Sequence, residues 1–330
     1  MSHKRLLFLH TGGTLGMTSR GDPGPLAPSA YAEDVLPFVR GLEELVHIEG
    51  EVLCNLDSSD LLPSHWERLA ALIAARLHDY DGFVVLHGTD TMAYTASALS
   101  YLLEGLPKPV VLTGAQRPIA ELRTDARNNL IHASISATMD VPEVAVWFND
   151  ELLRGNRCTK VSVQSYAAFA SPNLPPLVKM GADVVPQHTP RRPRGPFTLR
   201  GGFCEDVAVL WLFPGVSPKL LDLLVDSGAR GVLLVAFGAG NVPQRGWPEA
   251  IGRATAQGVQ VVVNTQCVDG AVELGRYEGS AAAQAEGALS AGPMTIEASL
   301  TKLMFLLGQG LSAEALRARF GEDLAGELLP

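Results

Sequence analysis

Three short stretches place hydroxyls and carboxylates directly after apolar runs. "LLFLHTGGTLGM" (6–17) leads into Thr11, Gly12, Gly13 and Thr14, and "FVVLHGTDTM" (83–92) leads into Thr89, Asp90 and Thr91. "NLDSSDLLP" (55–63) carries Asp57, Ser58, Ser59 and Asp60. A threonine hydroxyl is a poor nucleophile until a neighbouring base takes its proton or the local field lowers its pKa. Glycines let backbone N–H groups come close enough to hold a developing oxyanion. Asp90 is a carboxylate that suits a cationic substrate group or a lysine, and Lys160, in "NDELLRGNRCTKVSV" (149–163), is the lysine candidate. Lysine acts as a base only where burial or nearby cations lower its pKa. Each stretch also has a plainer reading: Thr-Gly-Gly-Thr as a turn, "DSSD" as a helix cap, Lys160 as a solvated charge. His10 and His87 read as packing or turn residues, since no metal-ligand spacing accompanies them.

The elements that must position these groups follow from periodicity. Apolar, β-branched runs at 6–10, 46–54, 82–87, 109–113 and 143–148 predict strands, and the amphipathic stretches 63–80 and 91–106 predict crossover helices. All three hydroxyl-rich stretches then fall at strand carboxyl ends, where ligands collect in open parallel sheets. From about 172 to 202 the pattern dissolves into proline and glycine. Alternation resumes with strands at 206–212, 231–238 and 258–265 and helices near 217–227, 247–257, 293–308 and 312–320. The expectation is a two-domain α/β protein: an N-terminal, doubly wound, mainly parallel sheet over 1–185, a Pro/Gly-rich linker over 186–205, and a smaller α/β domain over 206–330.

Composition narrows the function. A formal charge of −9 argues against a general nucleic-acid binder, and "RRPRG" (191–195) reads as an exposed segment. Four scattered cysteines form no CxxC pair, so neither a disulfide framework nor a zinc site is signalled. No apolar run approaches the roughly 20 residues needed to cross a bilayer, and the N-terminal apolar run is short for a secretory leader; a cytoplasmic location is expected. "GAGNVP" (238–243) lacks the last glycine of a dinucleotide fingerprint, and P-loop and GxSxG patterns are absent from the sequence.

"TGGT" (11–14), "DSSD" (57–60), "HGTDTM" (87–92), "TGAQRP" (113–118), "TKV" (159–161) and "NTQC" (264–267) together resemble the bacterial-type L-asparaginases, most closely their cytoplasmic type I branch. The resemblance runs in order over nearly the whole chain, to "MTIEASLTKLMFLL". It implies a two-domain α/β fold and hydrolysis of the asparagine side-chain amide to aspartate and ammonia through an acyl-enzyme, with no metal or organic cofactor. Thr14 then matches the nucleophile, while Thr89, Asp90 and Lys160 match the second cluster, which tunes Thr89 and positions the water. Ser58 and Asp90 match the groups holding the substrate's α-carboxylate and α-ammonium, with Ser59 beside them. The resemblance further implies homodimers or homotetramers, in which Asn241 matches a residue offered to the neighbour's site. Its plainer reading is a loop-capping asparagine.

Two departures stand out. Pro25 occupies the place of the family's lid tyrosine, leaving Tyr31, another tyrosine or a different activation to replace it; the glycine- and proline-rich loop Gly21 to Pro28 keeps the composition of a lid. Thr265 and Cys267 match the effector site of type I enzymes, but Val235 or Ala236 stands where its arginine would be. Two other readings stay open, an ammonia-supplying amidotransferase subunit and a non-catalytic binder that kept the fold. The amidotransferase subunit is expected to carry an extra N-terminal domain, whereas the first strand here begins at residue 6. Asparagine and glutamine differ by one methylene, worth roughly 1–3 kcal/mol in a pocket, so a weak glutaminase activity fits as well. Without the guanidinium an effector carboxylate loses its bidentate partner, so initial rates should rise hyperbolically with asparagine; a sigmoidal curve would show that homotropic activation survives.

Overall fold

A computed structural model describes residues 4–13, 17–19, 26–28 and 41–328; Thr14, Pro25 and Tyr31 lie outside the described residues. The chain divides into two compact units, Met1–Arg200 and Gly201–Pro330.

In the first unit, strands β1 (Lys4–Gly12), β2 (Val46–Leu56), β3 (Gly82–Leu86), β4 (Val110–Thr113) and β5 (Val144–Phe148) pair in parallel. Three antiparallel strands, β6 (Glu151–Arg154), β7 (Val178–Met180) and β8 (Val184–Pro186), extend one edge. The order across the eight strands is β8-β7-β6-β5-β4-β3-β1-β2. Strands covered on both faces must be apolar throughout rather than alternating, and "GFVVL" of β3 is buried at every position. Helix α1 (Pro63–Arg76) buries Trp66, Leu69, Ala70 and Ile73 at three- and four-residue intervals. It starts with Pro63, whose missing N–H is no loss in the first turn, and His65 Nδ1 reaches back to accept the Leu62 N–H at 3.0 Å. Helix α2 (Met92–Leu102) is buried along most of its length, and α3 (Ala126–Ser136) packs on β4 and β5.

The chain leaves β1 for β2 on one side and returns through α1 to β3 on the other. That reversal of strand order makes the carboxyl ends of β1 and β3 a topological switch point, where an open α/β sheet forms its crevice. Thr11 to Gly13 and Thr89 to Thr91 sit there.

The proline-rich stretch differs from the expected linker in extent. Residues through Arg200 are folded into the first unit: β7 and β8 join its sheet, and Thr198–Leu199 pairs with Leu103–Glu104. A buried ion pair anchors the segment between, with Arg154 Nε donating to Glu143 Oε2 at 2.5 Å and the Arg191 N–H donating to the same carboxylate. Arg192 pairs with Asp140 outside it. The proline content therefore sets an extended path over the sheet edge rather than a free connection.

The second unit holds a parallel sheet of β9 (Val207–Trp211), β10 (Gly231–Ala236), β11 (Gln260–Thr265) and β12 (Leu289–Ser290). Helices α4 (Lys219–Asp226), α5 (Trp247–Ala256), α6 (Glu278–Ala285), α7 (Ile296–Gly308) and α8 (Ala313–Phe320) alternate with or follow these strands. Trp247, Ile251 and Ala254 of α5 pack into one core with Val232, Leu234, Val261 and Val263. Lys302 of α7 is fully buried and reaches Glu327 at 2.6 Å and the Glu322 carbonyl at 2.6 Å. Burial pulls the Lys302 ammonium below the ordinary lysine range, against the opposing field of Glu327. Removing one partner of such a pair strands the other charge, a cost of about 3–5 kcal/mol. Lys302→Met should therefore lose about that much stability in urea unfolding, and adding Glu327→Gln should restore much of it; additive losses would show that the pair is not coupled.

Candidate active site

Backbone proximity at the switch point builds the site. Gly13 adopts φ +100°, and a Cβ there would stand 2.4 Å from the Gly88 nitrogen. A Cβ on Gly88 would in turn stand 2.6 Å from Ser58 Oγ. Both positions therefore require glycine, and the ends of β1 and β3 and the turn after β2 come into contact because no side chains separate them. Ser58 is buried in this contact, and Thr91 Oγ1 donates to its carbonyl at 2.7 Å, fastening the second loop to the third.

Asp57 Oδ1 accepts the Ser59 N–H at 2.9 Å and the Ser59 hydroxyl at 2.7 Å. These bonds hold the Asp57 carboxyl below its ordinary pKa. Asp57 is thus the cap of the short 3-10 turn Ser58–Asp60, as the plainer reading of "DSSD" has it, while Ser58 faces Gly88.

Lys160 reaches the second loop from beyond β6. It lies in the two-residue strand Thr159–Lys160, paired with Phe169–Ala170. Its Nζ donates to Thr89 Oγ1 at 2.7 Å and to Asp90 Oδ1 at 2.6 Å. The Lys160 side chain is 17% exposed and that of Asp90 67%. An ion pair with one partner so exposed contributes about 1 kcal/mol or less to stability, so folding alone gives little reason to gather these groups. Asp90, open on one side, can accept a second cation.

Gln116, just after β4, faces the other side of Thr89. Its Oε1 accepts from Thr89 Oγ1 at 3.4 Å, and its Nε2 donates to the carbonyls of Ser165 at 3.2 Å and Ser162 at 3.5 Å. The Gln116 backbone is fixed by Asp125, whose carboxylate oxygens accept its N–H at 3.1 and 3.0 Å and that of Arg117 at 3.1 Å. Asn129 of α3 steadies Asp125 at 3.2 Å and donates to the Gly114 carbonyl at 3.0 Å. Gln116 lies within "TGAQRP", but the sequence alone gives it no role, and Asp125 and Asn129 carry no motif signal. Their functions depend on partners from distant segments, which local spacing does not reveal.

The two histidines are packing residues. His87 is wholly buried, with Nδ1 2.6 Å from the Gly88 carbonyl and Nε2 2.8 Å from Thr95 Oγ1. A carbonyl only accepts, so the proton sits on Nδ1 and Nε2 accepts from Thr95. Burial pulls the His87 pKa down to about 4 and that of His10 to about 4. Among the described residues no cluster of three or more His, Cys, Asp or Glu could hold a metal, all four cysteines are free thiols, and no helix is long and apolar enough to cross a membrane.

In the second unit, Asn241 closes its own turn, donating its N–H to the Phe237 carbonyl at 2.7 Å. The Thr265 hydroxyl donates to the Gly238 carbonyl and accepts the Cys267 N–H at 3.1 Å. Val235 and Ala236 are fully buried in β10.

A family model for the asparaginase N-terminal region matches residues 5–192, and one for the glutaminase/asparaginase C-terminal domain matches 206–320. The chain belongs to the asparaginase family. It is 39% identical to L-asparaginase 1 of Escherichia coli, across 100% of this chain and 99% of that protein. It is 40% identical to the 60 kDa lysophospholipase of Mus musculus, across 98% of this chain and 62% of that protein. The solved thermostable L-asparaginase of Thermococcus kodakarensis superposes with a TM-score of 0.93 at 36% identity, covering 99% of both chains. The two-domain α/β architecture is that of these asparaginase structures.

His87 gives this asparaginase fold a pH dependence of definite sign. Its folded pKa lies below the ordinary 6.5, so between about 6.5 and about 4 the unfolded chain binds a proton that the folded chain refuses, and stability falls as pH drops through that window. A shift of this size corresponds to roughly 3 kcal/mol for His87. Urea unfolding at pH 7 and pH 4.5 should show the loss, to which His10 adds in the same sense, and His87→Gln should reduce the difference without abolishing it; an unchanged slope would rule out His87 as a source.

Proposed function

We propose that the chain hydrolyses the side-chain amide of L-asparagine to L-aspartate and ammonia through a threonine acyl-enzyme. The observation that carries this reading is the Lys160 ammonium held on both Thr89 and Asp90 at the switch point. An amide needs a nucleophile, donors for the oxyanion and a proton for the departing ammonia. Thr14, one residue past Gly13, is the nucleophile: its oxygen bonds to the amide carbon, and the tetrahedral intermediate expels ammonia to leave an ester. Thr89, tuned by Lys160, serves the water that cleaves the ester and releases aspartate.

The open side of Asp90 takes the substrate's α-ammonium. Ser58, packed against Gly88, serves the α-carboxylate, with Ser59 beside it. The reading extends to weak glutamine hydrolysis, a cytoplasmic location, a homodimer or homotetramer in which Asn241 serves a neighbouring site, and no resident cofactor. Thr265 and Cys267 stand without the arginine that an effector carboxylate would need. The boundary proposed for the first domain moves from 185 to Arg200, since the chain between folds with the first unit.

Ammonia release from asparagine and glutamine decides the assignment. Thr14→Ala should lose at least about a thousandfold in kcat and form no adduct. Thr89→Val should lose a comparable amount while accumulating an acyl adduct visible by mass spectrometry, as expected for members of one catalytic unit. Full activity in Thr14→Ala would remove Thr14 as nucleophile.

A further inference from the structure

We propose that Gln116 is a positioning residue that fixes the direction of the Thr89 hydroxyl proton and so makes Thr89 an acceptor toward the hydrolytic water. The proposal rests on the acyl-enzyme reading above and adds a residue to it. Gln116 Nε2 faces the carbonyls of Ser165 and Ser162, and carbonyls only accept, so the amide NH₂ must point there and Oε1 must face Thr89. On the other side, the Lys160 ammonium has only donors and sits 2.7 Å from Thr89 Oγ1. The Thr89 oxygen therefore accepts from Lys160, and its single proton goes to Gln116 Oε1. The hydrogen bonds run one way, from Lys160 to Thr89 to Gln116 to the 162–165 turn.

A hydroxyl has one proton and two lone pairs. With the proton committed to Gln116 and one lone pair to Lys160, the remaining lone pair is what Thr89 offers the cleft. A water there must donate to Thr89, which leaves the water's own lone pair free to attack the ester. Without Gln116, Thr89 can turn and donate to the water, occupying that lone pair. The surroundings keep the amide from rotating. Asp125 clamps the Gln116 backbone from behind, and Ser162 Oγ accepts the N–H groups of Gln164 at 3.2 Å and Ser165 at 2.9 Å, shaping the turn whose carbonyls hold Nε2.

The test compares Gln116→Met, which removes both ends of the amide, with Gln116→Glu, which keeps an oxygen toward Thr89. Gln116→Met should lower kcat about 10- to 100-fold, within the range of positioned proton-transfer groups. KM for asparagine should change less than about threefold, and acyl-enzyme should build up. Gln116→Glu should recover part of that kcat. A purely structural Gln116 would lower the unfolding midpoint without splitting kcat from KM or trapping the ester, and that result overturns the proposal, as does wild-type kcat in Gln116→Met. Neutron diffraction of the substrate-free protein reads the same claim independently of the reaction: the Thr89 proton should lie toward Gln116 Oε1, and a proton lying toward Lys160 overturns it. Wild-type protein inert toward asparagine while that proton sits as stated would instead count against the acyl-enzyme reading.

Discussion

One ammonium, that of Lys160, holds two adjacent side chains of a loop that lies 70 residues earlier in the chain, and much of the first unit serves to bring it there. Thr89 and Asp90 follow β3, the middle one of the five parallel strands. Lys160 arrives on a short strand beyond the antiparallel hairpin of β5 and β6. The separation is bridged by a sheet whose strands are too apolar to leave the interior and whose ends are too lean in side chains to stay apart. Had Gly13 or Gly88 carried a Cβ, the loops of β1, β2 and β3 would be pushed apart by clashes under 3 Å.

Charge is distributed according to this division of labour. Arg154 with Glu143 and Lys302 with Glu327 are buried pairs, and each ties a terminal or proline-rich segment to the unit it belongs to. Such pairs contribute little net stability over apolar substitutes, but breaking one is expensive, so they fix register rather than strength. Lys160 and Asp90 form the opposite kind of pair. Asp90 is largely exposed, and its attraction for a cation is available to a ligand. The same contrast separates the histidines from the site: His87 lies next to the loop, yet burial keeps it neutral and its contacts place it in the packing.

Much of this was legible in the sequence. The strands β1 to β5 and β9 to β11 follow from runs of Val, Leu and Phe, whereas the two-residue β12 and helix α6 carry no such run, and Thr89, Asp90 and Lys160 stand out by residue type and are brought together by the fold. The hydroxyl-rich turn at Ser58 was legible too, with Asp57 as its cap. Helix α3 was not, because "ARNNLIHASIS" directs Asn129 at the Gly114 carbonyl and the Asn149 N–H, just past β4 and β5, and that weakens the apolar stripe a helix usually shows. The extension of the first unit to Arg200 was not, because proline and glycine mark the absence of helix without saying where an extended chain docks. Gln116 was invisible as a functional group for a similar reason: an amide gains its direction only from partners, and its partners come from the loop after β3 and from the turn after Lys160.

Whether Lys160 acts through Thr89 is open to a direct measurement, a double-mutant cycle on kcat/KM for asparagine using Thr89→Val, Lys160→Met and the pair. If the ammonium works by tuning that hydroxyl, the double variant should be little worse than the poorer single variant, a coupling of about 2 kcal/mol or more. Losses that simply multiply would mean that the two groups serve the reaction separately and that Lys160 does not act through Thr89.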